Sequence, residues 1–105
     1  GGTPRPGLDN DLNGITFCDA PWALSANSSH ADLRQQLYSF RSDFKQNVRL
    51  YALGVDAYDV MQQVYHSSAV SNMQGTTGIL TFDNQHRMIR QLPCAQFRDG
   101  VPILL

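Results

Sequence analysis

The chain has 105 residues, 42% of them hydrophobic and 16% charged, with a formal net charge of −1. That length holds one domain or a piece of one, and the core it can bury is modest. With no basic excess to neutralise phosphates, the composition argues against a nucleic-acid partner. There is also no run of ~18 apolar residues to span a membrane as a helix.

Residues 1–14 read as an extended arm, because Pro4, Pro6, Gly7 and the cluster Asp9-Asn10-Asp11 are breakers and turn formers. This start lacks both Met and an apolar stretch, so it does not read as a signal peptide. It suggests a processed chain, with any targeting segment upstream. Residues 15–105 read as a single α/β domain or lobe, the C-terminal fragment of a longer protein.

The first strand is predicted over 15–22, where Ile15 and Phe17 alternate with Thr16 and Cys18. Pro21 ends it for want of an N–H, which leaves Trp22 on a loop. Ser28-Ser29 offers an N-cap, and Leu33, Leu37, Phe40 and Phe44 follow at helical spacing. Asn47 caps a second helix running to about Ser67. Leu50, Leu53, Ala57, Val60, Met61 and Val64 give it a broad apolar face, widened by Tyr51, Val55 and Tyr58. Its polar stripe is narrow: Arg49, Asp56, Asp59, Gln63 and His66. A helix this apolar packs on more than one side. Gly54 at its middle implies a close backbone approach or a bend.

Residues 67–77 form a Ser/Asn/Gly/Thr loop, after which the period drops to two. Strands are predicted at 78–82 and 87–91 around a turn at 83–86, with 92–97 extended. Asp99-Gly100 signals a hairpin into Val101–Leu105. The order is β-α-α-β-β-β. The N-terminal strand needs neighbours, supplied either by the C-terminal hairpins or by sequence outside this chain. The abrupt chain ends favour the second.

Little in this pattern carries chemistry. Cys18 and Cys94 stand 76 residues apart with no CxxC, and read as two separate, reduced core residues; a disulfide requires the fold to bring their Cα atoms within roughly 7 Å. His30, His66 and His86 show no metal spacing, and no metal or cofactor is expected. Asp56 and Asp59 sit at i, i+3. They suit acid–base work if their environments differ, and otherwise belong to a solvated polar stripe. Gly75-Thr76-Thr77-Gly78 precedes a strand and lacks the Lys of a P-loop. Arg87, Arg90 and Arg98 form a small basic group in the hairpins. No catalytic constellation emerges, so the chain is not expected to be an enzyme.

Three stretches carry a resemblance: DLNGITFCDAPWAL (11–24), RLYALGVDAYDV (49–60) and GTTGILTFDNQHRMIRQLPCAQFRDGVPILL (75–105). In order and spread over nearly the whole chain, they resemble the C-terminal part of the LppC/LpoA family. These are outer-membrane lipoproteins that activate a bifunctional penicillin-binding protein. The resemblance implies a lobe of a type I periplasmic-binding-protein-like domain with a largely parallel sheet and a cleft at the strand ends, near Pro21-Trp22. It also implies a regulator of peptidoglycan synthesis, held in the periplasm by a lipid anchor that lies outside this chain. One departure is Cys94, where a bulky aromatic is expected after Leu92-Pro93.

Two functions stay open. One is a module docking on the synthase. The other is a receptor for a peptidoglycan fragment or amino acid. Trp22, Tyr51 and Asp56 are the candidate ligand- or partner-binding residues. Trp22 and Asp56 suit a cleft in particular. The isolated chain is expected to self-associate through the 15–20 strand or the second helix, because apolar surface would otherwise stand open.

Overall fold

The computed structural model describes residues 12–67 and 71–105. The arm predicted over 1–14 lies outside them except for its last three residues. There a turn is closed by the Ile15 N–H donating to the Leu12 carbonyl at 2.9 Å. The elements are β1 (Thr16–Cys18), α1 (Pro21–Leu24), α2 (Ala31–Phe40), α3 (Val48–Ser67), β2 (Met73–Gln74), β3 (Ile79–Phe82), β4 (Met88–Gln91), β5 (Cys94–Arg98) and β6 (Val101–Leu104). The predicted order is kept. One helical turn, α1, and one two-residue strand, β2, are added to it.

The strands form two three-stranded sheets, ordered β1-β5-β6 and β2-β3-β4. Every pairing is antiparallel, so the largely parallel sheet is not found among the described residues. Tight turns impose this on β2–β3, β3–β4 and β5–β6, since consecutive strands joined by a few residues must reverse direction. Asp99 and Gly100 both have left-handed φ (52° and 78°), as a two-residue hairpin with the twist of its strands requires. β1 finds its neighbour within the chain: Thr16, Phe17 and Cys18 stand opposite Gln96, Ala95 and Cys94. The C-terminal hairpin therefore supplies what the chain ends had suggested was missing.

That register corrects the reading of the cysteines. Cys18 and Cys94 are direct cross-strand partners and form a disulfide. Spacing along the sequence hid the pair, because only strand pairing brings positions 76 residues apart into register.

Trp22 sits in α1 rather than on a loop. Pro21 ends the strand as expected, and it also opens the helical turn, where its missing N–H costs nothing. α2 starts later than predicted, at Ala31, preceded by His30 in the left-handed region. The Ser28 hydroxyl donates to the Ser25 carbonyl at 3.2 Å instead of capping the helix. Phe44 lies past the end of α2. The chain turns extended at Arg41, and the following turns fold Phe44 back into the core. That core is Trp22, Phe44 and Ala52, flanked by Leu37, Val48, Tyr51 and Val55. The Trp22 and Phe44 rings meet edge to face at 5.8 Å, and the Trp22 indole N–H donates to the Ser29 carbonyl at 2.7 Å.

α3 matches its predicted span, but its orientation does not follow its polarity. Asp56 is buried, and Asp59 and Gln63 are half-buried. Leu50, Leu53, Tyr58, Met61, Val64 and Tyr65 are all exposed. At about 100° per residue these six fall within roughly 140° of the helix circumference, away from the core. The middle of the polar stripe, Asp56, Asp59 and Gln63, faces inward, its ends Arg49 and His66 stay exposed, and an apolar face points out. No described residue lies within 4 Å of a Cβ built on Gly54, so no close approach occurs there among the described residues. The radius of gyration is 15.3 Å, against about 13 Å for a compact domain of this length. The exposed apolar face of α3 therefore has no cover from the described residues.

Candidate functional site

Three features stand out. The first is built on Asp56. From α3 its carboxylate accepts four hydrogen bonds from the loop after β2. Oδ1 takes the Thr76 N–H (2.7 Å) and hydroxyl (2.9 Å), and Oδ2 takes the Thr77 N–H (2.8 Å) and hydroxyl (2.5 Å). The Thr76 hydroxyl shares its single proton between Asp56 Oδ1 and the Ala52 carbonyl, 2.8 Å away, and Arg90 Nε donates to Thr77 Oγ1 at 2.9 Å. The loop must approach closely for this. A Cβ on Gly75 would stand 2.5 Å from Asp56 Oδ2, and one on Gly78 2.8 Å from the Gln91 carbonyl. Glycine at both positions, with small hydroxylated residues between, is what lets a carboxylate bridge helix and loop. The solvated stripe expected around Asp56 and Asp59 is thus corrected at Asp56, which is 2% exposed. Asp59 instead meets His30, with His30 Nε2 2.6 Å from Asp59 Oδ2.

The second feature is a groove of about 620 Å3 beside α3, lined by Leu33, Leu50, Tyr51, Gly54, Val55 and Tyr58 among others. Gly54 leaves its floor open. Tyr51 is anchored at its edge, where its hydroxyl donates to Asp43 (2.9 Å) and accepts from Arg41 Nε (3.2 Å). The groove continues the exposed apolar face of α3.

The third is a cavity of about 530 Å3 over the buried Trp22 and Phe44, sharing no lining residue with the groove. Arg34, Lys45 and Arg49 line it, and among the described residues no acidic side chain does. Arg49 is neutralised by a two-pronged pairing with Asp19. Burial raises the Asp19 pKa. The hydrogen bonds from Arg49 and the Ala20 N–H, with the Arg49 charge, outweigh it and leave the carboxyl below its ordinary value. Among the described residues Arg34 has only a peptide carbonyl, that of Trp22, 2.9 Å from its Nε. Burial pulls its pKa below the ordinary arginine value.

The three predicted site residues therefore part company. Trp22 is fully buried beneath the cavity, Asp56 is buried in the loop clamp, and Tyr51 alone reaches an open groove. The basic group of the hairpins disperses: Arg87 pairs with Asp83 at 2.8 Å and Arg90 turns to Thr77. Sequence reading missed Thr76, Thr77, Arg34 and Lys45. The Gly-Thr-Thr-Gly pattern was a usable signal for the first two. The two cations come from separate elements and left none. Among the described residues no group of side chains has the make-up of a metal site, and no helix is long and apolar enough to cross a membrane.

Residues 1–100 match the family model described as "LppC putative lipoprotein". The chain belongs to the LppC family. Among LppC relatives, the penicillin-binding protein activator LpoA of Vibrio vulnificus is 37% identical over 84 residues, 78% of this chain and 14% of that protein. Its namesake in Photobacterium profundum is 34% identical over 104 residues, 95% of this chain and 17% of that protein. The chain thus spans about a sixth or less of the curated relatives it matches. Among solved structures, the LpoA (YraM) C-domain of Haemophilus influenzae, described as a regulator of PBP1A, superposes with a TM-score of 0.67 at 26% identity. The match covers 96% of this chain and 31% of that one. A "putative branched-chain amino acid ABC transporter" of Chromobacterium violaceum superposes with a TM-score of 0.62 at 32% identity, over 83% of this chain and 29% of that one. The LppC chain is accordingly a mixed α/β fragment of periplasmic-binding-protein-like kind, as its resemblance implied.

Proposed function

We propose that this chain is the C-terminal piece of a non-catalytic regulator of peptidoglycan synthesis. The parent is a lipoprotein tethered to the inner face of the outer membrane that binds and activates a bifunctional penicillin-binding protein in the periplasm. Family membership over residues 1–100, with relatives named as penicillin-binding protein activators, supports this reading. The observation that carries the docking role is the outward apolar face of α3 with its open groove. A face of this kind marks a protein-contact surface when it exceeds the scattered exposure of ordinary monomers.

In this reading Tyr51 contacts the partner at the groove edge. Asp56 and Trp22 act from below: Asp56 fixes α3 against the Thr76–Thr77 loop, and Trp22 fixes it against the core. Without its partner the same α3 face pairs with a second copy, which is how the isolated chain self-associates. The test is synthase activation by the parent with and without this segment. Loss of binding and of stimulated glycan polymerisation on deletion is the expected result. Full activation without the segment would overturn the proposal.

A further inference from the structure

We propose that the cavity over Trp22 and Phe44 binds a small amphipathic carboxylate, its anionic head between Arg34 and Lys45 and its apolar body along Tyr38, Val48 and Pro102. This goes beyond the docking role and uses none of the groove's residues.

Among the described residues three cations line the cavity and no anion does, in a chain whose net charge is −1. Arg49 is spent on Asp19, which leaves two positive charges without a carboxylate among the described residues. Arg34 is half-buried, and its Nε is committed to the Trp22 carbonyl, so its two terminal nitrogens remain for a ligand. A partly desolvated guanidinium without a counter-ion is costly, and an anion within reach removes that cost. Lys45 is already held toward the cavity wall, its ammonium 4.9 Å from the centre of the Tyr38 ring.

Shape and lining choose the rest of the ligand. A volume of about 530 Å3 sits within the range of small-molecule sites, and a mostly apolar wall with a few convergent polar groups is their usual make-up. Two free cations suit one carboxylate head. Tyr38, Val48 and Pro102 give an apolar body something to lie against, which a bare inorganic anion would not use.

The probe is 3-phenylpropionate, titrated into the 15N-labelled protein and followed by amide shifts. 3-Phenylpropionamide supplies the same body without charge, and inorganic phosphate supplies charge without the body. Expected are saturable shifts for the carboxylate centred on Ala23, Arg34 and Lys45, absent with the amide and with phosphate. Lys45→Glu, at an exposed position that leaves the fold intact, should weaken binding at least about tenfold, and Arg34→Gln likewise, as expected for a charge-assisted contact. Equal binding of the amide would overturn the carboxylate assignment. Unchanged affinity in Lys45→Glu would overturn the site, as would no shifts in the wild type at about 10 mM, a concentration that captures even millimolar affinities. Synthase binding by Lys45→Glu should be unchanged, so failure here and failure of the docking role remain distinguishable.

Discussion

Replacing Asp56 by Asn isolates the bond network that ties α3 to the β2–β3 loop. The substitution keeps the shape of the side chain but turns one acceptor oxygen into an NH2 donor. Both oxygens now accept two hydrogen bonds each, all from Thr76 and Thr77. Whichever oxygen is lost, a buried backbone N–H then faces another donor. A buried donor left unsatisfied costs about 1–3 kcal/mol, and hydrogen bonds to a carboxylate contribute about 1.5–3 kcal/mol each. The threonine hydroxyl on that side can rotate and recover part of the loss. The net expectation is a destabilisation of about 3 kcal/mol. For a domain of this size that lowers the melting midpoint by about 12–24 °C. Urea and thermal unfolding followed by circular dichroism measure it. Asp59→Asn is the control: Asp59 is half-exposed and pairs with His30, so its loss should cost less than about 1 kcal/mol. If Asp56→Asn unfolds within about 0.5 kcal/mol of the wild type, the carboxylate does not hold the loop and the reasoning fails.

Three further outcomes follow. Peptide mapping by mass spectrometry without reductant should recover a linked Cys18–Cys94 pair, and reduction should cost about 4.5 kcal/mol by the loop-entropy model; two free thiols would contradict the register. Asp19 has a folded-state pKa below its unfolded value, so its pairing with Arg49 adds stability that is fully present above about pH 4 and is lost as pH falls through the lower folded value. Arg49→Gln should flatten that part of the stability–pH curve, and an unchanged acid limb would show that the pair contributes nothing. Light scattering at micromolar concentration should find the isolated chain at least dimeric, since Leu50, Leu53, Tyr58 and Met61, each about half to two-thirds exposed, gain roughly 1–2 kcal/mol apiece on full burial. A well-folded monomer would mean that the α3 face needs no cover.

How much of this was legible in the residues depended on the range of the interaction. α3 was read to within a residue at its N-terminus, because twenty consecutive positions carry the same period. The hairpin at Asp99-Gly100 was equally plain, because the turn itself demands those residues. What escaped was set by contacts distant in sequence. The Cys18–Cys94 bond needs the β1–β5 register. The burial of Asp56 needs two glycines and two threonines about twenty residues away. α3 shows this best. Its period announced two faces correctly, yet polarity pointed to the wrong one as exposed. The local rule assigns the polar face to water, and here the polar side is satisfied by the chain's own loop. The cavity cations were invisible for the same reason, since Arg34 and Lys45 meet only through the turn that brings Phe44 back.

The most direct measurement of the central claim is the binding isotherm of the purified penicillin-binding synthase with the parent protein carrying Leu53→Asp and Tyr58→Asp. Both residues lie exposed on α3 in this chain, and circular dichroism of the substituted parent verifies that its fold is kept. The account predicts that affinity falls by at least about a hundredfold, as removal of two central apolar anchors does. Affinity within about twofold of the wild type, with the fold intact, would contradict the claim that α3 is the docking face.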